Sequence, residues 1–135
     1  MKYFLLVGML SINLYITTEK SQIDNNCKAL NKCLESKEII DLVDSFKSQT
    51  FFIVDTGMYF CSCSSSYFVG NRKASITNKW ISNYSIDALI IYRGQKSDKD
   101  FVMGFKNPAT GSALFYEFEV CGEELRLKKI SRGDF

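Results

Sequence analysis

The apolar residues of this chain change period once, near Gln49, and that single change dictates a fold with helices before strands. Upstream, Ile23, Cys27, Leu30 and Leu34 fall at i, i+4, i+7 and i+11, one face of a helix. The phase breaks at Glu35-Ser36-Lys37-Glu38, and a second stripe follows through Ile39, Ile40, Val43 and Phe46. Ser36 is placed to cap that second stripe, because its hydroxyl can accept an orphan backbone N–H of a first turn. Two short helices, or one kinked helix, are therefore expected over residues 22–48.

Downstream the period is 2. Thr50-Phe51-Phe52-Ile53-Val54 reads as a strand, Asp55-Thr56-Gly57 as a turn and Met58-Tyr59-Phe60-Cys61 as its return strand. Tyr67-Phe68-Val69 and Ala74-Ser75-Ile76-Thr77 flank Gly70-Asn71-Arg72-Lys73 as a second hairpin, and Trp80–Tyr84 fits neither period. Ile86–Arg93, Phe101–Phe105, Ser112–Cys121 and Leu125–Lys128 complete the strands, the last an edge with outward basic residues. Ser112–Cys121 alternates most cleanly, with Leu114, Tyr116, Phe118 and Val120 on one side and Phe115, Glu117, Glu119 and Cys121 on the other. Helices followed by consecutive strands with short turns predict an α+β class: one or two N-terminal helices on a curved antiparallel sheet of about five to seven strands. This element order is similar to that of cystatin-like and nuclear-transport-factor-like folds, a similarity that no residue motif accompanies.

The first residues look like an export signal. Met1-Lys2-Tyr3 carries one positive charge, and Phe4–Ile16 is an uncharged stretch of thirteen residues. A signal-peptide core needs about 7–15 residues, whereas a membrane-spanning helix needs about 20. Thr17-Thr18 supplies small residues for cleavage, although no A-x-A sequence is present and Asn13 interrupts the apolar run. The expectation is a signal peptide over residues 1–21, a single domain over residues 22–135, and a periplasmic or extracellular location.

Export makes disulfides available to the five cysteines, Cys27, Cys33, Cys61, Cys63 and Cys121, and the odd number leaves at least one thiol over. Cys61 and Cys63 share a face if their segment is a strand, which disfavours a bond between them. Cys27 and Cys33, six apart on a helix, are equally ill placed for each other. Pairings that join the helical segment or Cys121 to the Cys61/Cys63 segment are favoured, with the connectivity open. The single C-x-C lacks the paired knuckles of a four-cysteine zinc site.

Composition narrows the function classes further. The chain contains no histidine, which removes Ser-His-Asp and Cys-His catalysis and all His-bearing zinc sites. The net charge of +2 is scattered, and the densest basic run is Arg126, Lys128, Lys129 and Arg132, so no nucleic-acid partner is expected. Neither G-x-G-x-x-G nor G-x-x-x-x-G-K occurs, and no cofactor, metal or catalytic residue is assigned. Glu117 and Glu119 share a strand face about 7 Å apart, a spacing open to acid–base or cation chemistry. Cross-strand pairing with Arg126 and Lys128 is the simpler reading.

Aromatic residues make up 14% of the chain and stand on both faces of some strands, as where Phe115 backs Tyr116. Either the sheet is covered on both sides or one face presents rings to a partner. The conjunction of export, small size, missing cofactor motifs and surplus aromatics points to a non-enzymatic protein-binding protein, such as an inhibitor or an immunity protein that neutralises a toxin in the cell envelope. The expected contact face is the sheet surface bearing Tyr116, Glu117, Glu119, Arg126 and Lys128. The alternative is a small-molecule or lipid binder in which the curved sheet and helices enclose an apolar pocket.

Overall fold

The computed structural model describes residues 22–79 and 87–134. The expected signal segment and the ambiguous stretch Trp80–Tyr84 lie outside these residues. Two helices precede seven strands: α1 (residues 22–34), α2 (Lys37–Val43), β1 (Thr50–Val54), β2 (Ser66–Val69), β3 (Arg72–Thr77), β4 (Ala88–Gln95), β5 (Asp100–Lys106), β6 (Ser112–Cys121) and β7 (Glu124–Asp134). The helical stripe breaks where its phase breaks. Ser36 takes extended backbone angles, and its Oγ accepts the Ile39 N–H at 3.3 Å to cap α2. The same hydroxyl donates to the Cys33 carbonyl at 2.7 Å. Its one proton is thereby used, so the Tyr116 hydroxyl, 2.5 Å away, donates to Ser36.

The strands form one curled sheet, a half-barrel, in the order β2-β3-β1-β4-β5-β6-β7. It is mixed, not antiparallel: β1 runs parallel to both β3 and β4, and only the β2–β3 and β4-β5-β6-β7 pairings are antiparallel. The cause lies just after β1. Asp55 does not close a hairpin, because its buried carboxylate accepts the N–H groups of Tyr59 at 3.2 Å and Phe60 at 2.9 Å. Short polar side chains compete with sheet ladders in this way. Residues 55–65 therefore coil off the sheet, the expected Met58–Cys61 strand is a turn, and the chain re-enters at β2. At Gly57 a Cβ would stand where the exposed Tyr59 ring lies, so a larger residue there would have to displace that ring.

The concave side is solid. Leu30, Cys33, Leu34, Ile39 and Val43 from the helices pack on Phe51, Ile53, Leu89, Ile91, Phe101, Met103, Phe105, Leu114, Tyr116 and Phe118. The Phe101 and Phe118 rings stack with centroids 5.4 Å apart, and Phe105 meets Tyr116 edge-on at 5.7 Å. Each such side chain contributes about 1.5–3 kcal/mol by leaving water. One disulfide, Cys27–Cys63, ties α1 to the coil after β1 with its Cα atoms 5.5 Å apart. It is one of the favoured pairings between the helical segment and the C-x-C, although both C-x-C cysteines sit in a turn and not in a strand. Cys33 is free and buried, Cys121 free and half-buried, and Cys61 free and exposed.

Candidate functional site

On the face away from the helices, the register of β4–β7 lines up four rows of residues. They read Ile90-Lys106-Ala113-Gly133, Tyr92-Gly104-Phe115-Ser131, Gly94-Val102-Glu117-Lys129 and, on β5–β7, Asp100-Glu119-Arg126. The second row supplies rings. Tyr92 is 48% exposed and Phe115 half-buried, and between them Gly104 offers no side chain. A Cβ on Gly104 would come within 3.1 Å of the Phe115 ring, and one on Gly133 within 3.2 Å. The ring therefore lies flat across two strands, which glycine alone permits without displacement. The result is a low, smooth aromatic centre.

Charge surrounds one side of that centre. The β6–β7 register slips between Glu117 and Phe118: Glu117 faces Lys129 and Phe118 faces Leu127, leaving Lys128 as the extra residue of a bulge. A bulge re-aims the side chain it adds. Lys128 Nζ sits 3.5 Å from Asp100 Oδ1, 3.9 Å from Glu119 Oε2 and 4.0 Å from Glu117 Oε1. Lys96 Nζ donates to Glu117 Oε1 at 2.9 Å. That hydrogen bond holds the Glu117 carboxyl below its usual range. Glu117 is thus an ionised, fixed charge and not a proton donor at neutral pH. Cys121 Sγ donates to Glu119 Oε1 at 3.3 Å, which pushes its thiol pKa up and weakens it as a nucleophile. Two ammonium groups occupy the space among the three carboxylates.

The expected contact residues divide. Glu117, Glu119, Arg126 and Lys128 come together on this outer face, as their strand positions require. Tyr116 does not join them: it has no exposed surface, points into the core and has its pKa raised by burial. The ring that does accompany the charges is its neighbour Phe115, with Tyr92 two strands away.

Sequence reasoning passed over a second polar cluster, on the inner side of β4. Arg93 lies in line with Leu89 and Ile91, donates from Nε to Asn26 Oδ1 at 2.6 Å and stacks 4.4 Å from the Phe101 ring centroid. Desolvation lowers its pKa. Asn26 in turn donates to the Tyr59 carbonyl at 3.2 Å, so β4, α1 and the coil are joined beside the disulfide. The available signal was a charged residue two and four positions beyond Ile91 and Leu89 on the same strand.

Two surface depressions are formed by described residues. A groove of about 430 Å³ runs between α2 and the β6–β7 end, lined by Glu38, Asp41, Ser45, Ser112, Arg132 and Asp134 over Leu42 and Leu114. A cleft of about 280 Å³ beside the coil is lined by Asp55, Met58, Phe60, Cys61, Cys63 and Ile76. Neither is walled by clustered rings. Among the described residues no three ligating side chains are grouped to hold a metal ion, and no helix is long and apolar enough to cross a membrane. No known protein family, curated protein or solved structure matches this chain.

Proposed function

We propose that this chain is an exported, non-enzymatic protein-binding protein, of the inhibitor or immunity-protein kind, and that it meets its partner with the outer face of β4–β7. The observation that carries the reading is the make-up of that face: a flat aromatic centre of Tyr92 and Phe115 beside a fixed mixed-charge rim. Protein interfaces concentrate binding energy in central rings and surround them with polar groups that exclude water and set register. The filled concave side supports this reading over the lipid or small-molecule alternative, because the helices and the large aromatic side chains of the core occupy the volume a ligand would need. The Cys27–Cys63 disulfide is consistent with an oxidising compartment.

Photo-crosslinking from position 92 in the producing cell tests the reading. A benzoylphenylalanine at Tyr92 is expected to trap one protein in stoichiometric yield, and Tyr92→Ala to weaken that complex about tenfold or more. No trapped protein, or Tyr92→Ala binding as well as the natural chain, would overturn it. N-terminal sequencing of the cell-purified protein tests export; an intact Met1 in the soluble cytosolic fraction would reject that part.

A further inference from the structure

Among the described residues β7 has one strand neighbour, β6, so the other edge of its backbone offers unpaired N–H and C=O groups along Glu124–Asp134. The opposite border of the sheet, β2, has only four residues. On the concave side of β7 stand Leu125, Leu127 and Ile130, kept on one face by the Lys128 bulge and only partly covered by the core they pack on. On the convex side stand Arg126 and Lys129, opposite Glu119 and Glu117. This edge is long, half apolar and basic.

A second copy is a poor occupant. Antiparallel pairing of β7 with itself about its midpoint sets Lys129 against its own copy on the convex face. Directly opposed like charges destabilise a strand pair, and lysines with a bulge are how exposed edges discourage self-association. An acidic strand meets the reverse situation.

We propose that β7 takes up an extended segment of the partner protein as an eighth strand, in which acidic residues alternate with apolar ones. Alternation places every second side chain on one face. The acidic set then lies beside Arg126 and Lys129, while the apolar set covers Leu125, Leu127 and Ile130. Main-chain hydrogen bonds supply affinity and the two side-chain rows supply selection, as in other strand-addition complexes. The proposal rests on the protein-binding reading and specifies how the partner is held.

The test uses the full chain with two synthetic peptides of about ten residues, one alternating Glu with Val and one alternating Lys with Val, read by amide hydrogen exchange. The Glu–Val peptide is expected to slow exchange along β7, more weakly at higher salt, and the Lys–Val peptide to leave β7 unchanged. Arg126→Glu with Lys129→Glu should reverse the preference by about tenfold in each direction. If that variant does not fold, Arg126→Gln with Lys129→Gln should lose the Glu–Val response alone. Unchanged β7 exchange with the Glu–Val peptide, equal protection by both peptides, or a dimer of the free chain with β7 already protected would each overturn the proposal. The two readings fail separately. A partner trapped from position 92 equally by the natural chain and by the β7 variant rejects strand addition and leaves protein binding standing. No trapped partner rejects protein binding itself.

Discussion

The two halves of the sheet are built by different rules. In the β4-β5-β6-β7 half each strand pairs with the next in sequence, and buried and half-buried residues alternate along the middle of β6. In the β2-β3-β1-β4 half, β1 pairs in parallel with strands that start more than twenty residues later. There the interior reads as continuous apolar runs, Phe51–Val54 and Ala88–Ile91. Parallel strands flanked by neighbours on both sides carry such continuous apolar runs, even though Phe52 of β1 stays exposed here, whereas a meander with one open face alternates. The first half is held by local hairpins. The second needs a disulfide, the Asp55 turn and the Asn26–Arg93 bridge to bring distant segments together.

The largest expected effect asks whether the halves share one core. Phe118 belongs to the meander and Ile53 to the parallel half, yet both lie fully buried in one cluster. Phe118→Ala should cost about 3–5 kcal/mol and Ile53→Ala about 2–5 kcal/mol. Denaturant unfolding followed by near- and far-ultraviolet circular dichroism should give a single transition for both variants. Two transitions, with one half surviving the loss of the other, would break the shared-core description.

Removing the disulfide sharpens the contrast. Cys27 and Cys63 are 36 residues apart in sequence, and a loop of that size corresponds to about 3–4 kcal/mol of chain entropy. Cys27→Ser with Cys63→Ser should speed amide exchange over residues 55–65 and β1 while β5 and β6 keep their protection. Uniform loss over the whole sheet would show that the halves are not separately held. The same sample separates the thiols: under native alkylation Cys61 reacts first, Cys121 slowly, and buried Cys33 only on unfolding.

How much was legible in the sequence follows the same division. The α1–α2 break, the Ser36 cap, the β2–β3 hairpin and the strands from β4 to β7 are written in local periods and turn residues, and the structure has them, although β7 spans Glu124–Asp134 where only Leu125–Lys128 was expected. The parallel pairing of β1 is not local: Asp55-Thr56-Gly57 looks like a hairpin turn until the Asp55 carboxylate is seen to take the N–H groups of Tyr59 and Phe60. The continuous run Phe51–Val54 was the available hint. On the outer face, alternation correctly grouped Glu117 with Glu119. It equally put Tyr116 on the opposite side, where the structure buries it, and the lysine bulge that draws Lys128 over three carboxylates had no sequence mark.

A smaller effect joins the helices to the meander. Tyr116→Phe removes the hydrogen bond to Ser36 and should cost about 1 kcal/mol. Burial raises the pKa of both Tyr116 and Cys33 above their ordinary values of 10.0 and 9.0. The unfolded chain therefore loses these protons before the folded chain does. Their contribution to stability is complete below pH 9.0 and declines as pH rises beyond it. Denaturant midpoints measured from pH 8 upward should fall less steeply in Tyr116→Phe and Cys33→Ala than in the natural chain. An unchanged slope in both would mean that these groups are not what limits alkaline stability.

The smallest effect is expected on the outer rim. Glu117 is held below the usual carboxylate range, first by its hydrogen bond with Lys96. Its contribution is present above the unfolded carboxylate value of 4.5 and is lost as pH falls through the folded one. Because the group stands in solvent, the ions of the buffer screen it. Glu117→Gln should leave neutral-pH stability unchanged within the error of a melt and flatten the acid limb only at low salt. Binding is where the same substitution should register, since removing one carboxylate leaves Lys96 and Lys128 with fewer partners and alters the charge pattern shown to another protein. Rim charges act mainly on association rates and salt dependence. The expected readout is therefore a changed association rate with the partner trapped from position 92, at unchanged stability. A variant that melts early and associates normally would mean that the rim serves the fold and not the encounter.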